Sequence, residues 1–506
     1  MITQIEIDGF KTFKDFKVEL APFQVIVGPN GSGKSNLFDA LHLLSRLADT
    51  DLLSAFQELR GDAGELFTKL PGGGTSKRIR MAVEMLVDRR IRDGEGGELK
   101  LIGEKAALRK KVTLKYTRLR YELEIVLQSD GPGPSQLHIA HESLKSIPQN
   151  VDNWCKKYGL SSINDWLPES VDNQVTFIDT QLRPLAILES IEDKSRREVD
   201  TLMISLYPDD DGQERNNWSY AIKRFYAAEV QRTVLSREAD IEYPHVFAAC
   251  EELRSLRFLH LDPKALRQPS PTKSPRYLSP DGSNLPTMLA RIQAEGKFAL
   301  GDISRDMANL ISGILKIKVE QDKPSDRYVI YAETADRRSF SSQVLSDGTL
   351  RLLALATLRN DPQFHGVLCL EEPENGVDPL HLAKMARLLR EMATDFKDTE
   401  QVNEPLRQVL VTTHSPTLIS QPDVIDSLLL AIIPTRVQGK NAPSIRVTRM
   451  VPVITSNTQS SHDVDATRDR AVEAYTIDQV RKYLDGDTLE KARNQLSKAR
   501  TNLSER

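Results

Sequence analysis

Cysteine is scarce in this chain: three occur in 506 residues, and Cys155, Cys250 and Cys369 lie far apart with no CxxC pair. That excludes a disulfide framework and a thiolate zinc site, and it fits a reducing cytosol. Long apolar runs are missing too, with no stretch of about 18 apolar residues that could span a bilayer. Neither charge sign is in excess. Against 68 Lys and Arg stand 72 Asp and Glu, a net charge of -4, so nothing global announces nucleic acid, although a local basic face would vanish in that sum. The chain opens directly on the alternating ITQIEIDGF, without a charged-then-apolar targeting segment. No membrane partner is expected, and a cytoplasmic location is. No internal repeat is visible, and no long heptad array that would make a coiled-coil arm.

What remains is enough chain for two to four folding units, and a hydrophobic fraction of 39% supports a sizeable core. Residues 1–27 read as three short strands: ITQIEIDGF and KDFKVEL alternate, and FQVIVG is a compact apolar run. Leu37, Leu41, Leu44 and Leu47 then follow at helical spacing. RIRMAVEML and VTLKYTRLRYELEIVLQ are further strand candidates, so residues 1–141 form a β-rich first lobe. From 142 to 260 the texture changes. Trp154, Trp166 and Trp218 fall here, with SIEDKSRREVDTLMISLY and YAIKRFYAAEVQRTVLSREAD, and the segment reads as a mostly helical insertion. Residues 261–455 form a second lobe. It begins with a Pro- and Ser-rich loop over 263–286, then a helix at TMLARIQAEG and strands near Leu315–Val319 and Tyr328–Ala332. Residues 456–506 read as a polar helical tail.

Four motifs carry chemistry. GPNGSGKS, from Gly28 to Ser35, is the phosphate-binding pattern GxxxxGK[ST]. Gly28, Gly31 and Gly33 let backbone N–H groups turn toward phosphates with no Cβ in the way. The next helix presents its amides and dipole to the same anion. Lys34 would reach the β- and γ-phosphates, Ser35 would hold Mg²⁺, and Asn30, Gly31, Ser32 and Gly33 would line the cradle. In VLCLEEPENGVDP an apolar strand ends in acids. Glu371 would sit near Mg²⁺, and Glu372 would orient and deprotonate the attacking water. An acidic pair is as readily a solvated loop; the phosphate loop in the same chain favours chemistry. In LSDGTLRLLALATL, Ser346 and the amides around Gly348 make a second anion-ready helix start. VLVTTHSP puts His414 just beyond an apolar strand, where it could hydrogen-bond a γ-phosphate.

In this order, the motifs resemble those of ABC-type ATPases of the SMC and RecF group. They are closest to the smaller prokaryotic AAA-type members related to the overcoming-lysogenization-defect ATPases. The similarity covers about 1–45, 261–290 and 340–420. It implies an α/β P-loop NTPase head built from both chain ends, and a head-to-tail homodimer or higher homo-oligomer with two ATP molecules sandwiched. Carried over, Lys34 and Ser35 bind phosphate and Mg²⁺, Glu372 is the catalytic base and His414 the switch histidine. Asp378 lies in the D-loop, while Ser346 and Gly348 contact the ATP held by the partner subunit. The magnesium-associated position is Glu371 where Asp is usual, and the signature is LSDGT where LSGGQ is usual; slow hydrolysis is expected. The Q-loop glutamine stays open between Gln57 and Gln136.

Relatives of this kind often act in defence against phages or in DNA maintenance beside a nuclease. After His414 come only residues 415–506, which lack the clustered carboxylates of a two-metal nuclease; Asp463 and Asp465 sit in a polar stretch that reads as a linker. The expectation is therefore an ATP-dependent regulator in a defence complex with a separately encoded effector. The alternative is a RecF-like repair or DNA-clamping ATPase. For it, KAALRKKVTLKYTRLRY and KSRR could touch phosphates, although such runs are usually solvated faces. A transporter ATPase is disfavoured by the opening hairpin and the absence of a membrane segment.

Overall fold

The computed structural model describes residues 1–70, 73–89, 100–101, 110–111, 114–128, 136–160, 167, 173–188, 196–207, 221–226, 230–240, 243–296, 298–436, 445–454 and 475–484. Two sheets organise them. The central one runs in the order Arg257–Leu259, Gly366–Glu371, Arg407–Thr413, Phe23–Val27, Leu428–Ile432, Arg449–Ile454, Tyr475–Thr476. The first five strands are mutually parallel, and Arg449–Ile454 is antiparallel to its neighbour. Strands covered on both faces should read as unbroken apolar runs. FQVIV and LLLAI do, and both are buried throughout. Sequence from both chain ends therefore meets in one sheet, with the strand that leads into GPNGSGKS near its middle.

The second sheet is antiparallel, ordered Ala221–Tyr226, Arg196–Leu206, Thr176–Leu188, Gln136–Ser146, Arg118–Gln128, Arg78–Leu86, Ile2–Asp8, Phe16–Glu19. This corrects the expectation of a mostly helical insertion over 142–260. Among its described residues, helices are confined to a single turn at Gln149–Val151 and to Asn153–Lys157, Val234–Arg237 and Pro244–Arg254. Its strands prolong the first lobe's sheet, except Arg257–Leu259, which is the edge of the central one. Leu202, Ile204 and Leu206 are buried while Met203 and Ser205 between them are half-exposed. That period of two was hidden by charged flanks, which a sheet with one solvated face tolerates as well as a helix does. The stretch 263–286 also departs from a plain loop, with a helical turn at Pro263–Leu266 and a short strand at Ser270–Pro271. The hairpin expected near 315–332 is present as Ile314–Asp322 and Arg327–Thr334. In the tail, Ile477–Leu484 is helical; the remainder of that expectation, and Trp166 and Trp218, lie outside the described residues.

The helix Lys34–Leu47 packs into the core through Leu37, Leu41, Leu44 and Leu47, all buried. Its C-terminal carbonyls, which a helix cannot satisfy internally, are capped by the segment 142–260. The Thr233 hydroxyl donates to Leu47 O at 3.0 Å, and Arg254 Nε to Ala48 O at 2.9 Å. Thr233 starts a short helix whose first amides, Val234 N and Leu235 N, donate to the buried Glu142 carboxylate at 2.7 and 2.8 Å. Trp154 ties the same segment to both lobes, with its indole N–H on Leu20 O at 3.0 Å and its ring edge-on to Phe396. Among the described residues no helix is long and apolar enough to cross a membrane.

Candidate functional site

Register places three of the four motifs together. In the parallel sheet Val27 pairs with Thr413, and Glu371 pairs with Thr412. The phosphate loop after Val27, the acids at Glu371 and Glu372, and His414 therefore leave adjacent strands at the same carboxyl end, where open α/β sheets bind their ligands.

Gly31 and Gly33 have φ of 77° and 95°, conformations that side chains rarely adopt. A Cβ at Gly33 would also run into the Thr448 hydroxyl. Lys34 Nζ donates to Gly28 O at 2.6 Å and to Pro29 O at 3.0 Å, folding the lysine back over its own loop. Burial pushes the Lys34 ammonium below its usual range, against the opposing pull of Glu372, Glu371 and Glu374. The Ser32 hydroxyl is buried and has no hydrogen-bond partner. A buried polar atom without a partner is costly, and in this loop an anionic phosphate oxygen would relieve it. The cradle fits a nucleotide triphosphate by these three features: left-handed glycines, a partly desolvated cation and an orphaned donor.

Glu372 is held on both oxygens. His414 Nδ1 lies 2.8 Å from Oε1, and Asn375 Nδ2 donates to Oε2 at 2.8 Å. Burial pushes its pKa up, but the hydrogen bonds from Asn375 and His414 outweigh it and keep the carboxyl below the usual range. Its backbone has φ of 46°, an uncommon value for a non-glycine residue and one often met at functional turns. Its amide still donates to Thr412 O at 2.9 Å. The result is an oriented, ionised base at the mouth of the phosphate loop.

Glu371, whose Oε2 stands 3.8 Å from His260 Nδ1, and half-buried Ser35 supply one carboxylate and one hydroxyl. That is the sparse donor set that suits Mg²⁺, which keeps waters and leans on phosphate oxygens.

The signature lies elsewhere on the chain. Ser346 is the exposed N-cap of the helix Asp347–Arg359, accepting from Thr349 N at 3.2 Å. Among the described residues no hydrogen bond joins Ser346 or Gly348 to the phosphate loop. Gly348 instead packs on the turn after Glu372, where a Cβ would lie 2.6 Å from Gly376 O. Arg267 braces this start, donating to Leu345 O at 2.5 Å and pairing with Asp347. Asp378 is exposed and caps the turn Pro379–His381.

Asn375, Glu374, Arg267 and Thr448 were missed by sequence reasoning. Only Asn375 had a local signal, standing three residues from Glu372 in a turn sequence. Neither Gln57 nor Gln136 hydrogen-bonds the phosphate loop among the described residues. Asp463 and Asp465, the side chains of Lys194–Arg197, and residues 105–109 and 112–113 of the basic stretch at 105–121 lie outside them.

Comparisons with known proteins agree with this geometry. Residues 196–420 match the family described as "AAA domain, putative AbiEii toxin, Type IV TA system", and residues 1–58 match the RecF/RecN/SMC N terminal domain. The two stretches contain the phosphate loop, the signature, the acids and His414, so the chain carries a P-loop ATPase unit of the SMC/RecF type. Over 89 residues it is 36% identical to the chromosome partition protein Smc of Bordetella petrii, covering 17% of this chain and 7% of that protein. The chain thus corresponds to a small part of that relative's length. Among solved structures it is similar to an SMC head bound to the C-winged helix domain of ScpA (12% identity, 89% of this chain and 97% of the other, TM-score 0.44). It is also similar to the SMC head domain from Thermotoga maritima (13%, 90% and 99%, TM-score 0.37). Those scores lie below 0.5, so the assignment rests on the sequence matches and the sheet order.

Proposed function

We propose that this chain hydrolyses ATP between two copies of itself and that the cycle regulates a separately encoded effector, such as a nuclease, in a prokaryotic anti-phage defence complex. The observation that carries the hydrolytic part is Glu372. It is an ionised carboxylate fixed on both oxygens at the strand end beside the phosphate loop. In this reading Glu372 orients the attacking water and takes its proton, while Lys34 balances charge on the transferring phosphoryl group. Ser35 and Glu371 would hold Mg²⁺, which supplies further charge neutralisation when bound. His414, held on Glu372 through Nδ1, would hydrogen-bond the γ-phosphate.

A second copy is supported by what the signature does not reach. Ser346 is exposed and makes no hydrogen bond to its own phosphate loop among the described residues; Val344, two residues before it, and Leu380, two after Asp378, are 67% and 83% exposed. Apolar side chains flanking two nucleotide-contact motifs mark a surface for another copy to cover. The defence role is supported by the toxin–antitoxin description of the matched family and by the resemblance to overcoming-lysogenization-defect ATPases. A RecF-like, DNA-clamping role is the second reading, favoured by the match to a chromosome partition protein.

Light scattering on the wild type and Glu372→Gln, with and without ATP and duplex DNA, tests this. ATP-dependent doubling of mass in Glu372→Gln is expected. A further shift with DNA would favour clamping. A mass indifferent to ATP would remove dimerisation as the switch.

A further inference from the structure

Three residues beyond Glu371, the chain carries another acid whose environment is unlike that of its neighbours. Glu374 is buried. One of its oxygens accepts from the Thr413 hydroxyl, and the other, Oε2, is buried without a partner. Thr413 Oγ1 in turn accepts from Ser415 N at 2.9 Å. The residue between those two is His414. A side chain in the acidic turn thus fixes the backbone on both sides of the histidine that touches Glu372. On its other flank the same turn meets the signature helix: Gly348 abuts Gly376, and the buried Arg351 guanidinium, with Nε unpartnered, feels the Glu374 charge.

We infer that Glu374 is a positioning residue for hydrolysis, setting His414 against Glu372 through Thr413 and Ser415 while touching neither nucleotide nor water. The inference rests on the ATPase reading above. A solvated acidic turn would leave the carboxylate in water, and a purely structural acid would sit on a saturated set of donors; this one spends one oxygen on the histidine loop and leaves the other bare. Burial pushes the carboxyl above its usual range, with the Glu372 charge adding to the rise. A glutamine Oε1 can accept the same hydrogen bond from the Thr413 hydroxyl, so an amide of the same shape should replace it.

The test uses the full chain, with turnover, KM for ATP and equilibrium binding of a fluorescent ATP analogue measured for wild type, Glu374→Gln, Glu374→Ala, Thr413→Val and the Glu374→Ala/Thr413→Val double variant. Misplacing a catalytic group by about 1 Å costs on the order of a hundredfold. Glu374→Ala and Thr413→Val should each lower kcat by roughly ten- to a hundredfold while KM and analogue binding stay within about twofold. Glu374→Gln should restore most of the loss. The double variant should be no worse than the poorer single, because both cut one chain of contacts. Unchanged kcat in Glu374→Ala, a parallel fall in analogue binding, no rescue by Gln, or additive losses would each overturn the inference. A wild type that binds the analogue but has no turnover above a Lys34→Ala control would overturn the ATPase reading itself, and is told apart by its occurring before any Glu374 substitution.

Discussion

Replacing Gly348 with alanine puts the contact between the signature helix and the turn after Glu372 to a quantitative test. The added Cβ would stand 2.6 Å from Gly376 O and 3.1 Å from Val377 Cα. Carbon and oxygen settle at about 3.3 Å even in favourable C–H···O contacts, so helix and turn must part by about 0.7 Å. Both partners are backbone and no rotamer can relieve the clash. Overpacking of this kind costs about 1–3 kcal/mol, and alanine's better helix propensity returns up to about 1 kcal/mol. The protein should therefore still fold, with a small loss of thermal stability. The functional loss should be larger. Ser346 sits two residues before the displaced glycine and Asp378 two residues after Gly376, so both would move relative to each other. A shift approaching 1 Å at such groups predicts a ten- to hundredfold fall in turnover. Binding of a fluorescent ATP analogue to the single chain, governed by Lys34 and its loop, should be unchanged. Steady-state phosphate release, analogue binding and light scattering read these separately. Wild-type turnover with wild-type ATP-dependent association in Gly348→Ala would refute the reasoning. So would a loss of nucleotide binding equal to the loss of turnover.

Other outcomes follow from the same geometry. Glu372→Gln should lower turnover by at least about a hundredfold while leaving nucleotide affinity intact, as read by phosphate release and analogue titration. His414→Ala and Asn375→Ala each remove a hydrogen bond that holds the Glu372 carboxyl low. Activity that needs ionised Glu372 is lost as pH falls through its pKa, so in both variants the acid limb of the pH–rate profile should move toward neutrality. Gly33→Ala should abolish analogue binding, because it combines a φ of 95° with a collision against Thr448; Thr448→Ala should not rescue it, since the backbone strain remains. Glu142 is fully buried, and burial raises its carboxyl to about 7 against the opposing amides of Leu235 and Val234. An acid raised in this way takes up a proton on folding. It is neutral in both states below pH about 4.5 and destabilises increasingly as pH rises to 7, by about 3 kcal/mol in all. Melting curves at pH 5 and pH 8 should show wild type losing more stability over that interval than Glu142→Gln.

The phosphate loop, the acidic strand end and the histidine were legible because their chemistry is local. Glycines at fixed spacing, a lysine at a helix start and acids after an apolar run announce themselves within a dozen residues. The strands that carry them were legible for the same reason, as in FQVIV and RIRMAVEML. Partnerships across long separations were not. Glu374 meets Thr413 thirty-nine positions away and Arg267 meets Asp347 eighty away, and no periodicity predicts either. The strands of 142–260 were misread because their frequent charged residues break a clear period of two in the sequence and read as the polar side of an amphipathic helix. Gly348 looked like a phosphate-facing glycine, and the structure gives it a second duty as the thin point where a helix meets a turn.

The capping of the Lys34–Leu47 helix by residues 142–260 bears on how the chain can be cut down or can have grown. Excising that segment would bisect the strand Gln136–Ser146 and remove the three strands beyond it. Leu119–Leu123, which pair with the lost residues Glu142–Ser146, would become a bare sheet edge, a ready template for intermolecular pairing. The carbonyls of Leu47 and Ala48 would lose Thr233 and Arg254 at the same stroke. A minimal version of this fold is therefore not obtained by joining its two lobes with a short linker; it needs a replacement edge guard and a replacement cap for the helix Lys34–Leu47.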